Sequence, residues 1–107
     1  MTDFDPEKFE EKYVHYFDEL QEAYRNAFQY MHDRHDSSIL RPIDHRILSE
    51  SEPFYGGNGE FRIELPDDPY ERVSVPVSEE TFDEILSTFV ERIEVELRRV
   101  FELDDEG

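Results

Sequence analysis

"SEPFYGGNGEFRIELPDDP", residues 51–69, gathers three of the chain's four glycines with three aromatic side chains. Read as chemistry, "GGNG" is a candidate phosphate loop. Such a loop aims backbone N–H groups at an anion, normally from a helix N-terminus and often beside a lysine. Here the glycines run into the alternating "EFRIEL", and no lysine follows them. "EPFY" and "EFRIEL" both suit extended strands, and glycine supplies the positive φ angles of a tight hairpin. The stretch is therefore expected to turn the chain between two antiparallel strands.

Downstream, Val73, Val75 and Val77 alternate with Arg72, Ser74 and Pro76, which predicts a further half-buried strand joined to the second by the "PDDP" turn. Pro76 has no N–H to donate, so it belongs at a strand end or on an edge. The region 52–77 is thus expected to form antiparallel strands, a hairpin or a three-stranded meander. A sheet this small leaves an edge whose pairing across a two-fold axis would give a homodimer.

Helices flank the strands. In the region 2–36, Asp5 is placed to cap, Pro6 fits the first helical position, and Phe4 and Phe9 suit a hydrophobic staple. Tyr13, Phe17, Leu20, Tyr24, Ala27 and Met31 then recur at helical spacing, which predicts one long helix with an aromatic-rich buried stripe and Tyr16 on the opposite side. Residues 37–50 read as a short helix carrying Ile39, Leu40, Ile43 and Ile47, capped by Ser37 or Ser38. In 78–102, Ser78 caps, Glu79 and Glu80 suit the first turn, and Phe82, Leu86, Phe89, Ile93, Leu97 and Val100 form the stripe. Residues 103–107 read as an acidic tail. The expectation is one two-layer α+β domain spanning 1–107.

The chain carries 29 Asp and Glu against 11 Lys and Arg, a net charge of −18. Nine Phe and six Tyr at periodic positions argue against disorder. Lys8 and Lys12 are the sole lysines beside nine arginines. Acid excess with scarce lysine suits a protein built for multimolar salt, where the screening length shrinks to about 3 Å and carboxylate repulsion becomes tolerable. In that setting the negative surface is an adaptation to solvent and leaves nucleic acid open as a partner. With no cysteine, disulfides, thiolate zinc sites and a catalytic thiol are excluded. No apolar run suits a membrane span and the first residues lack the pattern of a signal peptide, so a cytoplasmic location is expected.

His32 and His35 with Asp33 and Asp36, joined by His45 beside Asp44, have metal-ligand chemistry without the spacing of a known site. They remain weak candidates, and no cofactor is expected. Paired carboxylates abound as a solvated surface, and no nucleophile motif appears, so no enzyme is expected. What remains is a binding surface. Phe54 and Tyr55 beside the glycines, with Arg62, Tyr70 and Arg72, are the candidates for partner contact. The leading expectation is a non-catalytic interaction or regulatory protein acting on a protein partner or by self-association. A nucleic-acid or ribosome-associated factor is the alternative, requiring Arg62, Arg72, Arg98 and Arg99 to gather with aromatics. A small metal-dependent enzyme around the three histidines is a third.

"DFDPEKFEEKYVHYF" at 3–17, "ILSESEPFYGGNGEFRIELPDDPYERV" at 47–73 and "ELRRVF" at 96–101 resemble a family of small acidic haloarchaeal proteins, a domain of unknown function. The resemblance implies a halophile's cytosol and brings no activity or site residue with it.

Overall fold

The computed structural model describes residues 4–57 and 59–103. Along the chain run α1 (Pro6–Phe9), α2 (Lys12–His15), α3 (Phe17–His32), α4 (Ser37–Arg46), a 3₁₀ turn (Leu48–Glu50), β1 (Glu52–Gly57), β2 (Glu60–Glu64), a second 3₁₀ turn (Pro69–Arg72) and α5 (Glu79–Val100). The architecture is α+β. The expected acidic tail falls, apart from Leu103, outside the described residues.

The glycine stretch is a hairpin. β1 and β2 pair antiparallel with Pro53 opposite Ile63 and Tyr55 opposite Phe61, and the register shifts between Tyr55 and Gly57. Gly57 at φ 91° and Gly59 at φ 75° take the left-handed conformations that favour glycine. The Gly59 N–H donates to the Tyr55 hydroxyl at 2.8 Å, tying the turn to its own strand.

The third strand does not form. Asp68 takes a left-handed φ of 51° and a 3₁₀ turn follows, after which Val73, Val75 and Val77 run as half-buried loop. Pro66, Pro69 and Pro76 each lack a ladder donor. The Tyr70 hydroxyl donates to the Val77 carbonyl at 2.8 Å, curling the segment on itself.

Both outer edges of the hairpin are blunted. The Ile63 N–H is directed toward the Glu94 carboxylate on α5 and so away from β1. Pro53 opposite it therefore occupies a non-hydrogen-bonded pair, with a donorless nitrogen on the free side of β1. Pairing of two copies along this sheet loses its central donor on one edge and meets a helix on the other.

The predicted single N-terminal helix is three pieces. Backbone breaks at Glu11 (φ −116°, ψ 47°) and Tyr16 (φ −130°, ψ 23°) divide it. The Tyr16 hydroxyl accepts the Asp5 N–H at 3.0 Å. In a straight helix those residues would stand about 16 Å apart, beyond the reach of a tyrosine, so the contact requires the bend. The start of the segment agrees with expectation: Asp5 accepts the Glu7 N–H, and the Phe4 and Phe9 rings lie 5.6 Å apart. The buried positions are Phe9, Lys12, Tyr16, Leu20, Ala23, Ala27 and Met31. This set keeps helical spacing but starts one residue away from the predicted stripe. Tyr13 and Phe17, expected inside, are 55% and 48% exposed, and Tyr16, expected outside, is buried.

α3 and α5 share the most extensive helix contact, and α4 packs on α3. Asp36 caps α4 by accepting the Ser38 N–H at 2.8 Å, in place of the serines expected to do so. Ser78 caps α5 as predicted, accepting the Thr81 N–H at 3.3 Å. Leu40, Ile43 and Ile47 close one end of the core against Met31, while Phe82, Phe89, Ile93, Leu97 and Phe101 line the α5 side.

Candidate functional site

The glycine turn is not an aromatic lip. Tyr55 packs edge-on to Phe4 at 4.8 Å and to Phe61 at 5.2 Å, within a ring cluster completed by Phe9, Tyr16 and Phe101. Tyr70 is held by Val77 and sits 5.2 Å from the Phe82 ring. Phe54 is half-buried between two cations, with Lys12 Nζ 5.0 Å and the Arg62 guanidinium 5.4 Å from its ring centre.

Three of the four arginines of the nucleic-acid reading lie within ion-pair distance of a carboxylate in their own neighbourhood, and the fourth, Arg98, attracts Glu94 electrostatically. Arg62 lies 3.4 Å from Glu64, Arg72 pairs with Glu50 at 2.9 Å, Arg98 faces Glu94, and Arg99 lies 3.7 Å from Glu96. Arg72 also donates to the Asp67 carbonyl at 2.8 Å. Among the described residues no group of three or more His, Cys, Asp or Glu is placed to hold a metal ion. His32 instead stacks on Phe28, ring centres 6.1 Å apart and planes 26° from parallel.

Lys12 is the buried cation that apolar periodicity overlooks. Its Nζ donates to Glu52 at 2.9 Å and lies 5.3 Å from the Phe9 and Tyr13 ring centres, as well as beside Phe54. Three rings and one carboxylate replace its water and tie α2 to β1. Its scarcity was the available signal: a lysine kept in a chain that otherwise uses arginine. A second buried charge, Glu96, pairs with Arg92 at 2.7 Å, and the guanidiniums of Arg92 and Arg34 lie 4.1 and 3.8 Å from the Tyr30 ring centre.

Two grooves run along α3. The first, of about 360 Å³, is walled by Tyr13, Phe17, Leu20, Tyr24, Leu48 and Pro53. Its outer lip is Tyr13 and Phe17, which the helix breaks leave exposed, and the neighbouring Val14 is 77% exposed. Glu10, Glu11 and Asp18, next to these residues in sequence, are exposed. The Tyr24 hydroxyl sits at its base, 3.1 Å from Ser51 Oγ, and burial pushes this phenol up to about 12.

The second groove lies between α3 and α4 and is larger, about 860 Å³. Tyr24, Arg25, Phe28 and His32 form its α3 wall, Gln21 and Gln29 add amides, and Asp44 faces them from α4. Burial raises the Asp44 carboxyl above its ordinary range, with neighbouring His45 partly offsetting the shift. Of these wall residues only His32 and Asp44 belong to the set read from the sequence as metal-ligand chemistry. The signal that marks them is the absence of glutamate between Glu22 and Glu50 in so acidic a chain.

Among the described residues no helix is long and apolar enough to cross a membrane. A model described as a family of unknown function (DUF5783) matches residues 1–104. No curated protein and no solved structure matches the chain.

Proposed function

The chain belongs to this family of unknown function, and from its geometry we propose a non-catalytic interaction protein that docks a protein partner on the groove beside Tyr13 and Phe17. The observation that carries this reading is the exposure of Tyr13, Val14 and Phe17 next to a groove with an apolar floor. Holding large apolar side chains in water forgoes about 25 cal/mol for each Å² left uncovered, and contiguous apolar surface of this kind suits an interface.

The exposed acids that neighbour Tyr13 and Phe17 in sequence select the occupant. A second copy would set these carboxylates against their own kind, whereas a segment with an apolar centre and basic flanks matches both features. The blunted hairpin edges also argue against self-pairing through the sheet. A salt-adapted, cytoplasmic setting accords with the composition: the fold is expected to loosen as KCl is withdrawn, and a circular dichroism spectrum and Tm that ignore KCl would contradict it.

The interaction reading is tested by pull-down in molar KCl with the native chain and with Phe17→Ser. The expected result is a protein with a basic, amphipathic segment held by the first and lost by the second. Equal capture by both chains refutes the groove, and a two-fold molecular mass in light scattering that Phe17→Ser abolishes would assign it to a second copy instead.

A further inference from the structure

The groove between α3 and α4 lies in a stretch that escapes the acid excess of the chain. Residues 25–46 hold four arginines against three aspartates, with no lysine or glutamate, so this stretch carries +1 within a total of −18. In molar salt the screening length is about 3 Å, so the distant acidic surface has little say and the groups at the groove decide what enters.

Three kinds of recognition converge there. Arg25 is exposed and, among the described residues, has no carboxylate within ion-pair distance, although acids outnumber bases in the chain by far. One turn further along α3, the Phe28 and His32 rings stack on each other 6.1 Å apart, with Phe28 also tilted against Phe89. From α4 the half-buried Asp44 carboxyl supplies an acceptor, Gln21 and Gln29 on α3 supply amides, and Asp33 at the end of α3 adds a second carboxylate to the lining.

We propose that this groove binds a nucleoside phosphate, with the phosphate on Arg25, the base against Phe28 and His32, and the sugar hydroxyls on Asp44. A guanidinium matches phosphate oxygens in a two-point fork, and an aromatic face accepts any base by stacking. The groove volume of about 860 Å³ falls in the range of small-molecule sites, roughly 300–1,000 Å³. The same chemistry arrives as a free mononucleotide or as one residue of a single-stranded RNA.

The experiment titrates adenosine monophosphate, adenosine and inorganic phosphate separately into isotope-labelled chain in molar KCl, following backbone amide shifts. The monophosphate is expected to move the signals of Phe28, His32 and Asp44, and to bind at least about tenfold more tightly than adenosine or phosphate. Arg25→Gln, at an exposed position and checked by circular dichroism, is expected to remove the advantage of the monophosphate over adenosine. Tyr13→Ser, in the other groove, is expected to leave it intact. No shifts at millimolar monophosphate, or equal binding by Arg25→Gln and the native chain, overturns the proposal. With the site established, a short oligoadenylate binding more than about tenfold tighter than the monophosphate assigns the ligand to RNA. Equal affinities assign it to the free nucleotide.

Discussion

The first seventeen residues hold two sets of aromatic side chains with opposite fates. Phe4, Phe9 and Tyr16 turn inward, where with Tyr55, Phe61 and Phe101 they form a cluster of rings 4.8–6.2 Å apart. Tyr13 and Phe17, interleaved with them, stay in water beside an open groove. The two sets share composition and helical spacing. What separates them is Lys12, buried between them and neutralised by Glu52. Filling one inward position with a lysine commits the adjacent Tyr13 to the rim, where its ring covers the ammonium on one side and faces solvent on the other.

The largest expected effect tests the buried set. Phe101 is fully buried against Phe4, Phe9, Tyr16 and Phe61. Phe101→Ala is expected to cost about 3–5 kcal/mol in denaturant unfolding at high KCl, as truncations of a buried ring do. A loss near zero would mean that the cluster is loose.

Next comes the divider itself, where the two partners are expected to differ. Glu52→Gln leaves the buried ammonium uncompensated and is expected to cost about 3 kcal/mol. Lys12→Met keeps the apolar stem and leaves Glu52, 47% exposed, free to hydrate, so about 1 kcal/mol or less is expected. Equal losses in the two variants would show that burial of Lys12 is not what makes the pair matter.

The exposed set should behave in the opposite way. Tyr13→Ser and Phe17→Ser are expected to change stability by no more than about 0.5 kcal/mol while removing partner capture, a split that a merely structural role would not produce.

The smallest effect concerns two half-buried carboxyls: Glu94, which faces β2 beside the ring cluster, and Asp44 in the second groove, between α3 and α4. Burial raises both above their ordinary range. Each therefore binds its proton more tightly folded than unfolded, and stability falls as pH rises from the ordinary carboxylate range through the raised value. Below that window the penalty is absent. Glu94→Gln and Asp44→Asn are expected to flatten this part of the curve of Tm against pH, and an unchanged slope in both variants would contradict the assignment.

Much of the local structure was legible because it depends on neighbours in sequence. The cap at Asp5 and the staple from Phe4 to Phe9 follow from residues a few positions apart, as does the cap at Ser78. The hairpin follows from glycines that can take positive φ between alternating strands. The α+β class and the stripe of α5 come from the same kind of reading. Tertiary structure decided what depends on residues far apart. Glu52 makes Lys12 an inward residue and so displaces the N-terminal stripe by one position, and the reach from Tyr16 to Asp5 breaks the helix that local propensity favours. The hydrogen bond from Tyr70 to Val77 and the missing proline donors turn an alternating segment into loop. Periodicity records which face is apolar on average, but a buried ion pair forms only when its two halves meet in space. The position of Lys12 therefore waited on the fold, and the exposed groove beside it followed.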